Sequence, residues 1–354
     1  MYKLQAFGTR IRIRTKPRIG DPKRARSKSK IEDRYKPHTT PSWIAIVDAR
    51  AISLLEQDIA HLRLYVSSLI ITCLTQNMTS APSKPIAFYD IAFKEPREKT
   101  NSAPNPWKAR LALNFKALPY ATTWVPLPDV EKVRRSLNVP ACRKWGNGSD
   151  YYTLPVITDP NTNEDIGDSF DIAVYLQKTY PDSGSDLFPK QKLGYVYTPE
   201  QASPVPLTDV RGGEHDNYAE FNMSVDAVFT EHVILMAHGM PLNSAGEEVF
   251  VKRAGVDSFD AFAFVGEPRK QMTVSFERKL EGLANVFKRD RSGPFVLGTK
   301  ASYADLIVGG WLRTASRTLE STEWEALRGW HGGVFGQLHD ALERYAQTDR
   351  GREV

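Results

Sequence analysis

The stretch "YYTLPVITDPNTNEDIGDSFDIAVYLQKTYP", residues 151 to 181, constrains the fold of this chain more than any other. Two apolar runs flank a turn, as in a strand pair, yet Pro155 interrupts the first run between Leu154 and Val156. Proline donates no ladder hydrogen bond and is kept out of central strands, so it must stand at the strand's start. An acid and a serine, Asp168 and Ser169, then come directly before a run whose Ile172, Ala173, Leu176 and Tyr180 share one helical face. A hairpin that opens on an X-Pro bond thus leads straight into a helix N-terminus.

The preceding hundred residues supply the rest of a small α/β unit. "KPIAFYDIAF" reads as a strand and "KEPREKTNSAPN" as an irregular loop. In "PWKARLALNFKALP", Trp107, Leu111, Phe115 and Leu118 have helical spacing, with Asn105 and Pro106 as N-cap and first helical residue and Leu118-Pro119 as the stop. "YATTWV" is a second strand, and "PDVEKVRRSLNV" a second helix capped by Asp129. Over residues 84–190 the order is β-α-β-α-β-β-α, the thioredoxin-like pattern with an X-Pro before its third strand. We expect Leu154-Pro155 to be cis, with the main chain of Leu154 turned out to pair with a ligand backbone as an added strand. A peptide suits such a site.

Residues 191–215 are Pro-rich and read as a linker or insertion, and 216–348 as an all-helical domain. Tyr218, Phe221, Val225, Val228, Leu235 and Met236 make one apolar stripe there, and Met272, Phe276, Leu280, Leu283 and Phe287 another, both most simply core. Ser302 and Asp305 have capping-box spacing.

Charge separates the start of the chain from its body. Up to residue 77 there are 15 Lys and Arg against 6 Asp and Glu; after it there are 32 against 36. The body is therefore mildly acidic, which speaks against a nucleic-acid footprint on it. Residues 1–77 read as a basic extension, disordered or non-native, with Met78 an alternative start and a mitochondrial transit peptide the other reading of the Arg-rich segment. The apolar run Leu64 to Leu74 is shorter than the about 20 residues that span a bilayer, so no membrane segment is expected. Cys73 and Cys142 lie far apart, and the seven histidines have no metal-ligand spacing, so neither a disulfide framework nor a metal site is expected. A reducing, cytoplasmic setting is the default.

From about residue 84 to 348 the chain resembles glutathione transferases in "NPWKARLALNFKALPY", "YTLPVITDP", "DSFDIAVYLQKTYPD…LFP" and "FVLGTKASYADLI". It is most similar to the fungal-specific, etherase-related members, akin to bacterial lignin β-etherases. The resemblance implies a thioredoxin-like domain followed by an all-α domain, glutathione as co-substrate, a hydrophobic aromatic electrophile as second substrate, and a homodimer. The activity implied is conjugation or aryl-ether cleavage in detoxification; a non-catalytic protein binding glutathione conjugates or aromatic metabolites is the alternative.

The resemblance also gives the site residues their roles. Leu154 and Pro155 would meet the cysteinyl unit, Ser169 the γ-glutamyl carboxylate at a helix N-terminus, and Asp168 its ammonium group. The thiolate needs a donor, for which the family pattern has a serine where this chain has Ala103. Asn105 is then the candidate donor with Ser102 as partner; a plain capping role for Asn105 stands beside it. Trp107, Tyr152, Phe221 and Met223 are candidates for the apolar pocket, each with core packing as the alternative. Arg143 and Lys144 are candidates for the glycine carboxylate, with a solvated pair as the alternative. Cys142 follows the second helix and reads as a packed or surface thiol.

Overall fold

The computed structural model describes residues 84–200, 207 and 213–354. The expectations for residues 1–77, the start at Met78 and Cys73 among them, lie outside the described residues.

Strand β1 (Ile86–Ile91) alternates buried and half-buried side chains, burying Ile86, Phe88 and Asp90. A single helical turn (Arg97–Thr100) precedes α1 (Pro104–Phe115), and β2 (Tyr120–Val125) then runs parallel to β1, with Phe88 opposite Thr122. Helix α2 (Val130–Ser136) and a small hairpin of β3 (Arg143–Lys144) and β4 (Asp150–Tyr151) lead to β5 (Val156–Asp159), β6 (Glu164–Gly167) and α3 (Ser169–Thr179). Strand β5 lies antiparallel to β1 and to β6. A seventh strand, β7 (Arg352–Glu353), adds to β2 from the C-terminus, giving the order β6-β5-β1-β2-β7.

Pro155 precedes the first ladder residue, since Val156 is the residue paired with Tyr89. An interior strand thus tolerates it. The Leu154-Pro155 bond is cis, as the strand-start position led us to expect.

Two helix starts differ from the sequence reading. Helix α1 begins at Pro104 with Ala103 as N-cap, so Asn105 sits inside the first turn and caps nothing. The segment offers two prolines with φ suited to a first helical residue, and the earlier one serves. Asp129 makes no side-chain cap either, because a 3₁₀ turn (Leu127–Asp129) runs directly into α2 and leaves Asp129 already helical.

The helical part comprises α4 (Asp216–Glu231), a turn at Ile234–Ala237, α5 (Ser244–Ala254), α6 (Gly266–Phe287), α7 (Tyr303–Thr318) and α8 (Ser321–Ala341), the last broken at Trp330–Gly333. Both apolar stripes are core, apart from a half-buried Met272. The Ser302–Asp305 capping box forms at the start of α7, with Ser302 N–H donating to Asp305 Oδ2 at 2.7 Å. Residues 191–200 carry no helix or strand, yet Leu193 and Tyr195 are buried in the core.

Helix α1 lies between the sheet and α7 and is buried nearly all round. Such a helix must find partners for any charge it carries. Lys108 and Arg110 are two residues apart and so project to nearly opposite sides. Arg110 turns to the sheet, where it pairs with Asp90 at 2.8 Å and donates to Thr122. Lys108 turns to the helical part and pairs with Asp226 of α4, donating also to Asn222 Oδ1 at 2.9 Å.

Candidate active site

A cavity of about 480 Å³ opens between the N-terminus of α1, the Leu154 segment and the helical part. Ala103, Pro104 and Asn105 form one wall, and Tyr152, Thr153 and Leu154 adjoin them. Most of the remainder is apolar: Phe93, Leu127, Ile234, Met240, Phe250 and Phe262 are among its residues.

The α1 wall has an uncommon donor pattern. Helix N-termini leave their first N–H groups without intrahelical partners, so they attract negative charge. With proline at 104 and 106, Asn105 is the lone backbone N–H between Ala103 and Trp107, whose own N–H already donates to Ala103 O at 3.2 Å. No side chain caps this end. The Asn105 amide Oδ1 is buried and has no hydrogen-bond partner among the described residues. Asn105 therefore presents a main-chain donor and an amide at one point of the cavity wall. Ser102 is fully buried and donates to Met240 Sδ at 3.7 Å, which puts it behind the lining.

The Asp168-Ser169 pair is brought beside Leu154-Pro155 by the β5–β6 hairpin, where Asp168 N–H donates to Pro155 O at 3.4 Å. Asp168 caps α3, its Oδ1 accepting from Phe170 N–H at 2.9 Å. Ser169 O accepts from the buried Tyr303 hydroxyl at 2.8 Å. Both residues are buried and stand outside the cavity lining.

Of the pocket candidates, Tyr152 lines the cavity, whereas Trp107 and Phe221 are core and Met223 lies elsewhere. Trp107 faces away because its Nε1–H donates to Asn101 O at 2.7 Å. Arg143 lines the cavity; Lys144 instead pairs with Asp150 at 2.8 Å on the surface. Cys142 lies outside the lining, its Sγ set against the Gly167 carbonyl at 3.3 Å.

Sequence reading missed the α5 wall. Its signals are present in "PLNSAGEEVFVKRAG": Asn243 caps the helix by accepting from Gly246 N–H at 2.8 Å, and Gly255 ends it at φ 66°. This helix brings Phe250 and Arg253 to the cavity. At the floor, Trp311 and Asp226 join the lining. Burial lowers the pKa of Lys108, and the adjoining Asp226 carboxylate opposes that shift. Among the described residues no group of three or more His, Cys, Asp or Glu could hold a metal ion, and no helix is long and apolar enough to cross a membrane.

A mixed sheet in which Leu154, the residue before the cis-proline, and the first-helix N-terminus line one cleft, followed by a helical part that completes the cleft, defines a thioredoxin-like plus all-α protein. Residues 103–179 match the family model for the glutathione S-transferase N-terminal domain and 225–345 that for its C-terminal domain. The chain belongs to the glutathione transferase superfamily. It is 26% identical over 291 residues to the glutathione S-transferase-like protein ustS of Aspergillus flavus, covering 76% of this chain and 94% of that one. Its fold is similar to a glutathione S-transferase of Ceriporiopsis subvermispora solved in complex with glutathione: TM-score 0.62, 29% identity, 75% of this chain and 99% of the other. It is likewise similar to glutathione transferase GSTFuA2 of Phanerochaete chrysosporium, with TM-score 0.60, 28% identity, and coverage of 75% and 100%.

Proposed function

We propose that this protein binds glutathione and transfers it to an apolar, aromatic electrophile, or uses it to displace an aryl ether oxygen. One observation carries the reading: the open N-terminus of α1, Leu154 and an apolar cavity share a single lining. The tripeptide lies along Leu154, whose main chain pairs with the cysteinyl unit. Its γ-glutamyl end reaches toward Asp168 and Ser169, and Arg143 meets the glycine carboxylate. The sulfur lies at Asn105, whose N–H and amide donate to the thiolate and favour the ionised form over a thiol of ordinary pKa about 8.5. Ser102 acts behind the wall through Met240.

In the reaction the thiol proton goes to solvent. A sulfur lone pair then forms an S–C bond to the electrophilic carbon, and the bond to the leaving group breaks with its electron pair. A halide departs as such; an aryloxide takes up a proton from water. The apolar walls exclude water from the electrophile. The working unit of this reading is a homodimer, as the resemblance to transferases suggests, and sedimentation of the full chain tests it.

Ala103 favours a second reading, because the hydroxyl of the family pattern is missing at that position. On that reading the same cavity holds glutathione conjugates or aromatic metabolites without turning them over. Calorimetric titration with glutathione, followed by turnover of 1-chloro-2,4-dinitrobenzene, separates the two. Binding with turnover, raised in Ala103→Ser and lowered roughly tenfold or more in Asn105→Ala, supports the transferase. Binding without turnover supports the ligand-binding protein, and no binding of glutathione ends both.

A further inference from the structure

Three charged side chains reach the cavity lining: Asp226, Arg143 and Arg253. Asp226 is fully engaged, its Oδ1 accepting from Lys108 and from Trp311, and its Oδ2 from Asn222 at 3.4 Å. The negative charge of the lining is therefore neutralised from behind. Arg143 stands on the side of Thr153 and Leu154, where the proposed reading places the tripeptide.

Arg253 stands on a different wall, in the last turn of α5, and has no assigned task. Its guanidinium lies 5.1 Å from the centroid of the Tyr151 ring, which holds the cation at the cavity mouth. No carboxylate is within ion-pair distance of it among the described residues; the nearby Glu131 is paired with Arg135 at 2.9 Å. An arginine is charged at any working pH and presents a planar fork that matches a carboxylate or sulfonate. Set at the edge of an apolar cavity, such a cation rewards one kind of ligand: an aromatic body with an anionic group at one end.

We infer that this cavity selects anionic aromatic ligands, and that Arg253 is the specificity-determining residue. The inference rests on the proposed reading of the cavity as the second-substrate site. The aromatic body packs against Phe250, Phe262 and Tyr152, and its carboxylate or sulfonate meets Arg253.

Two dyes of one aromatic skeleton test it by fluorescence without glutathione: 8-anilinonaphthalene-1-sulfonate and its uncharged counterpart N-phenyl-1-naphthylamine. The full chain should bind the sulfonate at least about tenfold more tightly, equivalent to about 1.4 kcal/mol. Arg253→Met keeps an aliphatic stem for packing and removes the charge. It should abolish the preference while moving the neutral dye's Kd less than about twofold, and Arg253→Lys should restore part of it. Equal affinities in the parent, a preference that survives Arg253→Met, or one abolished instead by Arg143→Met, each overturns the inference. A parallel arm compares kcat/KM for 1-chloro-2,4-dinitrobenzene and 4-chloro-3,5-dinitrobenzoate, the latter to fall selectively in Arg253→Met. Should neither electrophile be turned over while the dye preference persists and depends on Arg253, the transferase reading fails and the anion selectivity stands.

Discussion

Trp311 Nε1–H donates to Asp226 Oδ1 at 2.7 Å, and that same oxygen accepts from Lys108 Nζ. Three helices, α1, α4 and α7, thus meet at one buried carboxylate beneath the cavity. Both members of the ion pair are out of water, Lys108 wholly so. A buried pair contributes little net stability against a well-packed apolar replacement, but breaking it strands a charge.

Lys108→Met should therefore lower unfolding free energy by about 3–5 kcal/mol, because Asp226 loses its counter-ion. The double variant Lys108→Met/Asp226→Leu should regain most of that loss. Urea denaturation of the parent, both single variants and the double variant measures both; additive losses would show that the two residues are not coupled.

Gly310 precedes Trp311 at the crossing of α7 with α1. A Cβ at this position would come to 2.7 Å from the Pro104 carbonyl and 2.8 Å from Lys108 Cγ. The backbone oxygen cannot yield without moving the first turn of α1. Gly310→Ala should thus cost roughly 1–3 kcal/mol of stability. It should also raise the KM for glutathione, since the displaced turn carries Asn105. Thermal unfolding with a normal KM would show that α1 absorbs the shift elsewhere.

Asp305 couples the capping box to pH. Burial pushes its carboxyl up from 3.8 to about 6, while N–H donors from Val296 and Ser302 pull the other way. A carboxyl that holds its proton more tightly in the fold stabilises the fold most below its ordinary value, and that contribution is lost as pH rises through about 6. Relative to Asp305→Asn, the parent should lose on the order of 3 kcal/mol between pH 3.5 and pH 7. Denaturant titrations of both proteins across that range check the sign; a difference that grows with pH would contradict it.

Asp168 has φ 102° and caps α3 through Phe170 N–H. Asparagine tolerates a positive φ and keeps an acceptor oxygen, so Asp168→Asn isolates the charge from the cap. If the γ-glutamyl group docks here, Asp168→Asn and Ser169→Ala should each weaken glutathione binding about ten- to a hundredfold, with the loss mainly in KM. Calorimetry on the folded variants decides it. Unchanged affinity would leave the pair as a helix start only.

Several features were legible in the amino-acid order alone because they depend on neighbours in the chain. The X-Pro strand start at Leu154-Pro155, the helical stripes and the Ser302–Asp305 box are local patterns of period, backbone restriction and capping, and the thioredoxin-like order followed from them. Other features were decided only when distant segments met. Residue order put the N-cap of α1 at Asn105, whereas in the fold the helix starts at Pro104, whose carbonyl faces Gly310, with Ala103 as N-cap. Trp107 and Phe221 looked as suited to a pocket as Tyr152, since an apolar side chain carries no mark of the cavity it faces. Arg110 and Lys108 acquired opposite partners, Asp90 and Asp226, 20 and 118 residues away along the chain. The C-terminal strand β7 joined β2 through contacts such as Trp124 Nε1 to Arg350 O at 2.7 Å. Burial, ion pairing and the lining of a cavity are properties of surfaces brought together in space, and residue order specifies them only through the completed fold.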